Sequence, residues 1–157
     1  LSGARRVFVT DVSEYRLHLS KKLGADYAIN PKNDDPVPFI KDLTQGRGAD
    51  VLLEVSGNPS AIKQGFAALR KAGTASLLGI PSKPVEFDIA NDIIFKSIVV
   101  KGINGRRIWD TWFKGQALLA KGVDLSKLIT HKMPLEEIEK GLELMIAGEC
   151  GKVILYP

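Results

Sequence analysis

The chain has 157 residues, of which 45% are hydrophobic and 25% charged, and its formal net charge is +4. These values are typical of a folded globular domain and exclude a disordered tail. The basic residues are dispersed and do not alternate with aromatic residues, so we expect no nucleic-acid surface. No apolar run approaches the roughly 18 residues of a membrane span, and the opening residues lack the pattern of a secretory leader, so we expect no membrane.

The residues most often used for metal binding and nucleophilic chemistry are scarce. Cys150 is the only cysteine, which rules out an internal disulfide and gives no metal-ligand spacing. The histidines, His18 and His131, lack neighbouring partners for a proton relay or a zinc site, and we expect them to be structural or exposed. The chain is therefore predicted to hold no catalytic or metal-binding residue, and a reducing cytoplasm suits it best.

Short apolar runs alternate with amphipathic segments along the chain. Runs rich in β-branched and apolar residues predict strands at residues 7–10, 25–30, 51–55, 74–80, 98–100, 129–132 and 152–156. Apolar residues three and four apart predict helices that follow Ser13 and Asn58–Pro59, a short helix at residues 39–43, and helices near residues 108–119 and 135–145. Residues 32–38 are polar and proline-rich, which predicts a loop.

This alternation predicts an α/β fold, a Rossmann-like doubly wound parallel sheet. Such a fold normally opens with a strand and a G-x-G-x-x-G turn that cradles a pyrophosphate. The nearest glycine groups, Gly46–Gly48 and Gly102–Gly105, do not follow the first predicted strand. Either the chain binds no dinucleotide or it begins after that turn. We favour the second alternative, in which the sheet lacks its first strand and residues 7–10 form the second.

Two residues near the end of the first predicted strand can contact a ribose. Asp11 can accept hydrogen bonds from both hydroxyls of an adenosine ribose and would repel a 2′-phosphate, or it can cap the following helix. Arg16 can lie beside the adenine or bond the ribose, or it can be an ordinary solvated charge. Position alone does not decide between these alternatives.

Glycines follow two later strands, and aromatic residues mark one helix. Val55–Gly57 and Leu78–Ile80 lie where cofactors bind parallel sheets, at the carboxyl ends of strands, although both can be ordinary turns. Trp109, Trp112 and Phe113 are more typical of a helix face or a subunit contact than of a base-stacking platform.

Several segments together resemble one enzyme family, the zinc-dependent medium-chain dehydrogenase/reductases, from the second strand of its coenzyme domain onward. The resemblance covers essentially the whole chain, and the segments that contribute to it are residues 9–16, 23–26, 50–57, 77–82, 102–106, 109–112 and 129–137.

The resemblance implies a set of coenzyme contacts. Asp11 and Arg16 would hold the adenosine ribose of NAD. The nicotinamide end would be contacted, largely through backbone, by Leu78, Gly79, Ile80, Ile103 and Asn104.

The resemblance also implies an activity and an assembly. Within the family it is closest to members that oxidise the secondary hydroxyl of L-threonine to 2-amino-3-oxobutanoate. A polyol dehydrogenase of the sorbitol or butanediol type and a non-catalytic NAD-binding or assembly module are the alternatives. Residues 1–127 would form the NAD-binding domain and residues 128–157 would return to a catalytic domain. The zinc ligands would lie outside this chain, and the subunits would form a homo-tetramer.

Overall fold

The computed structural model describes residues 3–157. Within this range the chain divides into two compact units: one contains residues 3–34 and Arg106–Pro157, and the other is Asp35–Gly105. Among the helices of the described residues, none is long and apolar enough to cross a membrane.

Strands and helices alternate along the chain, as the sequence predicts. In chain order they are β1 (Phe8–Thr10), α1 (Glu14–Lys22), β2 (Tyr27–Ile29), α2 (Pro36–Leu43), β3 (Ala49–Glu54), α3 (Pro59–Ala68), β4 (Leu69–Leu77), β5 (Val99–Gly102), α4 (Asp110–Ala120), β6 (Ile129–Pro134), α5 (Ile138–Ala147) and β7 (Lys152–Tyr156). Within residues 3–157 the strands pair as β1–β2, β3–β4–β5 and β6–β7, and each of these pairings is parallel. The predicted α/β class with parallel sheets is confirmed.

In the first unit, the N-terminus of α1 is fixed by the side chain of Ser13. The Ser13 hydroxyl accepts a hydrogen bond from the Arg16 backbone N–H, which makes Ser13 the N-cap that the sequence predicts. The same hydroxyl donates to the backbone oxygen of Gly148 at 2.7 Å, at the left-handed C-cap of α5. The cap of one helix therefore also satisfies a carbonyl at the end of another.

The second unit has a continuous hydrophobic core between its sheet and α3. The buried members of this cluster are Ile62, Phe66, Leu69, Ala75 and Ile98. They come from α3, from β4 and from the residue before β5. The helix therefore packs against one face of the sheet and anchors the strands whose carboxyl ends are described below.

The start of α2 differs from the prediction, which assigned residues 32–38 to a loop. The helix begins at Pro36, and the Asp35 side chain caps it by accepting from the Val37 N–H at 2.9 Å. Prolines are tolerated in a first helical turn because the N–H groups there have no helical partner. The prolines Pro36 and Pro38 thus start the helix.

The bounds of β4 also differ from the predicted strand at residues 74–80. The strand begins at Leu69, includes Gly73 and ends at Leu77. The pairing shifts between Ala49↔Leu69 and Val51↔Thr74, so residues 70–73 bulge out of the ladder and resemble a turn in sequence. At the other end, the chain leaves the ladder because the next two backbone N–H groups bond to a single carbonyl of β3.

Asp50 in β3 and Arg70 in β4 form an ion pair that depends on pH. A hydrogen bond from the Arg70 side chain holds the pKa of Asp50 below its usual value of 3.8. An ion pair that depresses a carboxyl pKa stabilises the fold above about pH 3.8, the usual pKa of the carboxyl. This contribution disappears as the pH falls through the pKa of the carboxyl in the folded protein. The Asp50 side chain is 68% exposed, so solvent screens the pair.

We therefore expect Asp50→Asn to lower the free energy of unfolding by less than about 1 kcal/mol near neutral pH, and by a smaller amount near pH 3. Urea unfolding of a full-length protein that contains this chain measures the difference at both pH values. Asp42→Asn, on the exposed face of α2, is the matched control and should have no effect at either. A loss of equal size at both pH values would show that the ion pair is not its cause.

Candidate functional site

The carboxyl ends of β3, β4 and β5 meet at one edge of their sheet. β4 pairs with β3 as far as Glu54↔Leu77 and with β5 as far as Leu77↔Gly102. The segments that follow the strands therefore emerge side by side, and in doubly wound α/β folds this edge is where cofactors bind. They comprise residues 55–57, 78–80 and 103–104.

The residues predicted for the nicotinamide end are brought together at this edge. The Ile103 backbone N–H donates to the Leu77 oxygen at 2.9 Å, which continues the alignment of β4 and β5 past the ends of the strands. Leu78 is 47% exposed, Ile80 85% and Ile103 48%, and Asn104 is also exposed. Apolar side chains are thus presented at the surface where a ligand is expected. Their contact with nicotinamide stays a prediction.

Gly57 and Gly79 pack backbone against backbone. A Cβ on Gly79 would lie 2.1 Å from the Gly57 nitrogen, and a Cβ on Gly57 would lie 2.6 Å from the Ile80 oxygen. Gly57 also has a φ of +68°, which favours glycine. The sequence suggested that these glycines admit a cofactor or form ordinary turns. In the structure, each is required by the loop that follows the neighbouring strand.

Sequence reasoning missed Glu54, the last residue of β3. Among the described residues, Glu54 is the one charged residue that is buried, and 4% of its surface is exposed. Its carboxylate accepts hydrogen bonds from the backbone N–H groups of Ser56 and Gly57, and its backbone oxygen accepts from those of Leu78 and Gly79. A signal was present in the sequence, because Glu54 is the charged residue of the otherwise apolar run at residues 51–55, and a buried charge requires compensating partners.

Asp11 lies immediately beyond β1 in the first unit and does not cap α1. Its Oδ1 accepts from the Ser13 N–H at 2.8 Å, which shapes the turn into the helix, while Ser13 is the cap. Within residues 3–157 the Oδ2 atom has no hydrogen-bond partner, and the residue is half-buried. One carboxylate oxygen at the end of a parallel strand therefore remains able to accept a ligand hydroxyl.

Arg16 is used within the protein. Its Nη2 donates to the Met145 backbone oxygen at 3.5 Å, close to the C-terminus of α5. A guanidinium at this position interacts favourably with the partial negative charge of a helix C-terminus. Its side chain is exposed. The contact of Arg16 with a ribose stays a prediction, and its hydrogen bond to α5 is a contact that the sequence did not indicate.

The described residues do not fit a zinc ion. Within residues 3–157, no three side chains of histidine, cysteine, aspartate or glutamate lie close enough to hold a metal. A zinc site needs three or four such ligands. His131 Nδ1 lies 2.9 Å from the Thr130 hydroxyl, and Cys150 is buried as a free thiol between α5 and β7.

Comparison with known proteins identifies the family. Residues 1–121 match the family model described as "Zinc-binding dehydrogenase". The chain belongs to this zinc-binding dehydrogenase family. The family prediction from the sequence is therefore confirmed, and the fold with it.

Whole-length relatives are similar over nearly all of the chain. The L-threonine 3-dehydrogenase of Caldanaerobacter subterraneus subsp. tengcongensis is 49% identical over 99% of the chain and 46% of its own length. That of Thermococcus kodakarensis is 46% identical over 99% of the chain and 45% of its own length. The chain thus spans about half the length of these relatives and corresponds to their C-terminal half.

Solved structures of alcohol dehydrogenases share the fold. An alcohol dehydrogenase from Thermotoga maritima superposes with a TM-score of 0.85 at 37% identity, covering 99% of this chain and 44% of that one. The 2R,3R-butanediol dehydrogenase from Bacillus subtilis superposes with a TM-score of 0.87 at 32% identity, covering 99% of this chain and 45% of that one. The predicted Rossmann-like class is confirmed by these matches.

Gly79→Ala tests the close packing of the two loops. The new Cβ would meet the Gly57 backbone and Glu54 Oε2, neither of which can move without opening the sheet edge. We expect the free energy of unfolding to fall by about 1–3 kcal/mol, the usual cost of overpacking.

Gly102→Ala is the matched control, because a Cβ on Gly102 meets nothing within 4 Å. Its effect should stay within about 0.5 kcal/mol. Urea unfolding of a full-length protein that contains the chain measures both variants. Equal stability of the two would contradict the packing described above.

Proposed function

We propose that this chain is the NAD-binding portion of a zinc-type dehydrogenase that oxidises the secondary hydroxyl of L-threonine to 2-amino-3-oxobutanoate. The choice of substrate is supported by the relatives named L-threonine 3-dehydrogenase, which reach 49% identity over nearly the whole chain. The structural relative that is named a butanediol dehydrogenase is 32% identical.

One observation supports the coenzyme most directly, namely the carboxylate of Asp11 at the end of β1. Its Oδ1 is engaged with the Ser13 N–H, and its Oδ2 has no partner within residues 3–157. A carboxylate at this point can accept from both hydroxyls of an adenosine ribose and repels a 2′-phosphate. The coenzyme is therefore NAD rather than NADP, and Arg16 would lie beside the same ribose.

The nicotinamide end would lie against the edge formed by residues 78–80 and 103–104. Leu78 and Ile80 present exposed apolar side chains there, and Ile103 and Asn104 border them from the next strand. Gly79 would contribute backbone only. When bound, NAD accepts a hydride from the alcohol carbon of the substrate. The residues of this chain would orient the ring and exclude water from one of its faces.

The remaining parts of the proposal concern the whole enzyme. Zinc would be held by residues outside those described, residues 1–127 would form the NAD-binding domain, and residues 128–157 would return to a catalytic domain. A homo-tetramer would form with β5 pairing to its copy. Within the described residues β5 is an edge strand, and its Val99 and Val100 are 51% and 41% exposed. A cytoplasmic location belongs to the same proposal.

A polyol dehydrogenase is the second candidate activity. The observation in its favour is the TM-score of 0.87 to the 2R,3R-butanediol dehydrogenase of Bacillus subtilis. A non-catalytic NAD-binding or assembly module is the third candidate, because the sequence has no G-x-G-x-x-G turn. The two experiments below separate these candidates.

Asp11→Asn tests the coenzyme contact. Asparagine keeps an Oδ1 acceptor for the Ser13 N–H, so α1 should start unchanged, while the negative charge is lost. In a full-length protein that contains the chain, we expect the KM for NAD to rise about tenfold, because a hydrogen bond to a charged group contributes on the order of 1.5–3 kcal/mol. Discrimination against NADP should fall. Steady-state kinetics with NAD and NADP measure both changes, and Asp42→Asn is the control. An unchanged KM for NAD would show that Asp11 does not contact the coenzyme.

A substrate panel tests the reaction. With NAD and zinc supplied, the same full-length protein should oxidise L-threonine with a kcat/KM on the order of 100-fold above sorbitol and 2,3-butanediol, since a site built for a polar substrate rejects analogues that leave its polar groups unpaired. NADH formation at 340 nm is the readout. A preference for either diol would favour the polyol dehydrogenase, and no NADH with any substrate would favour the non-catalytic module.

A further inference from the structure

Glu54 is a buried carboxylate that is held without a cation. The residue is 4% exposed, and none of the ion pairs found within residues 3–157 includes it. A buried charge is costly unless hydrogen bonds replace the water that it loses. Its burial at the end of β3 therefore needs an explanation in terms of the groups that it binds.

The carboxylate collects the hydrogen-bond donors of the loop between β3 and α3. Its Oε1 accepts from the Ser56 N–H at 3.0 Å, from the Ser56 hydroxyl at 2.5 Å and from the Gly57 N–H at 3.1 Å. Its Oε2 accepts from the Gly57 N–H, also at 3.1 Å. Bonds of this type, with an ionised acceptor, are roughly twice as strong as neutral ones. The loop is thereby tied to the last residue of β3.

The backbone of Glu54 binds the neighbouring loop. Its carbonyl oxygen accepts from the Leu78 N–H at 2.8 Å and from the Gly79 N–H at 3.1 Å, which is where the chain turns out of β4. Its Oε2 would lie 2.6 Å from a Cβ on Gly79. The side chain and the backbone of one residue thus fix both loops at the carboxyl edge of the sheet.

We propose that Glu54 is a positioning residue for the nicotinamide end of the coenzyme. Its carboxylate acts through the loop at Ser56 and Gly57, which it ties to β3 and against whose backbone Gly79 packs. The inference rests on the function proposed above and adds to it a residue that does not touch the coenzyme. Without this anchor, the two loops would separate and the surface for the ring would lose its shape.

The chemistry calls for a carboxylate and not for an amide of the same size. The Ser56 N–H, the Ser56 hydroxyl and the Gly57 N–H are all donors, and a carboxylate presents two accepting oxygens to them. Glutamine has one accepting oxygen, and its NH₂ group would face the Gly57 N–H. Glu54→Gln therefore keeps the volume of the side chain but places an NH₂ donor against the Gly57 N–H, which is also a donor.

The experiment compares two ligands in a full-length protein that contains the chain. NAD occupies both ends of the proposed site, whereas ADP-ribose contains the adenosine ribose and lacks the nicotinamide. We expect Glu54→Gln to weaken the binding of NAD about tenfold and that of ADP-ribose less than twofold, as measured by calorimetry. Glu86→Gln, at an exposed position of the same unit, is the matched control and should change neither affinity.

A loss of affinity that is confined to NAD supports the inference, because a merely structural role would weaken the binding of both ligands together. Equal losses for both ligands, or no loss for either, overturn it. If Glu54→Gln does not fold, Ser56→Ala removes the hydroxyl that donates to Glu54 Oε1 and accepts from the Asn58 N–H. This variant should weaken the binding of NAD about threefold and leave the affinity for ADP-ribose unchanged. Equal effects on the two affinities again overturn the inference.

Failure of this inference is distinguishable from failure of the proposed function. If the unaltered protein binds neither ligand, the coenzyme proposal is wrong and the role of Glu54 falls with it. If Asp11→Asn weakens both ligands while Glu54→Gln weakens neither, the coenzyme proposal stands and only the positioning role is overturned.

Discussion

The parallel pairing of β4 between β3 and β5 is the constraint on which the second unit depends. Because all three strands run in the same direction, the segments that follow them emerge at one edge, and their backbones must pack against each other. Gly57 and Gly79 meet there at a distance that leaves no room for a Cβ, and Glu54 satisfies the N–H groups of both loops. The core around Phe66 keeps the strands in register beneath this edge.

The glycines of this edge have a role that differs from the one their position first indicates. In nucleotide-binding folds, glycine commonly lets the backbone approach a phosphate. Here Gly57 and Gly79 let two loops approach each other, and the surface that results exposes Leu78 and Ile80. A ligand at this edge would therefore meet a preformed backbone surface, whose shape depends on a buried carboxylate that lies behind it.

Asp11 and the edge at residues 78–80 and 103–104 offer a ligand different chemistry. Asp11 ends β1 with one carboxylate oxygen engaged by the Ser13 N–H and the other without a partner among the described residues. The edge offers apolar side chains. The hydroxyl recognition and the ring positioning that we propose are thus assigned to segments that are far apart in the sequence.

The sequence by itself determined the α/β class, the order of the elements, the family and the caps at Ser13 and Asn58, because these follow from local periodicity, capping chemistry and segment resemblance. It also indicated which loops lie at the carboxyl edge. Only the tertiary structure decided that β4 starts at Leu69 and that Arg16 bonds a carbonyl of α5. It likewise revealed the role of Glu54. These features depend on contacts between residues distant in the chain, where a shifted strand register or a buried charge finds partners that no local pattern specifies.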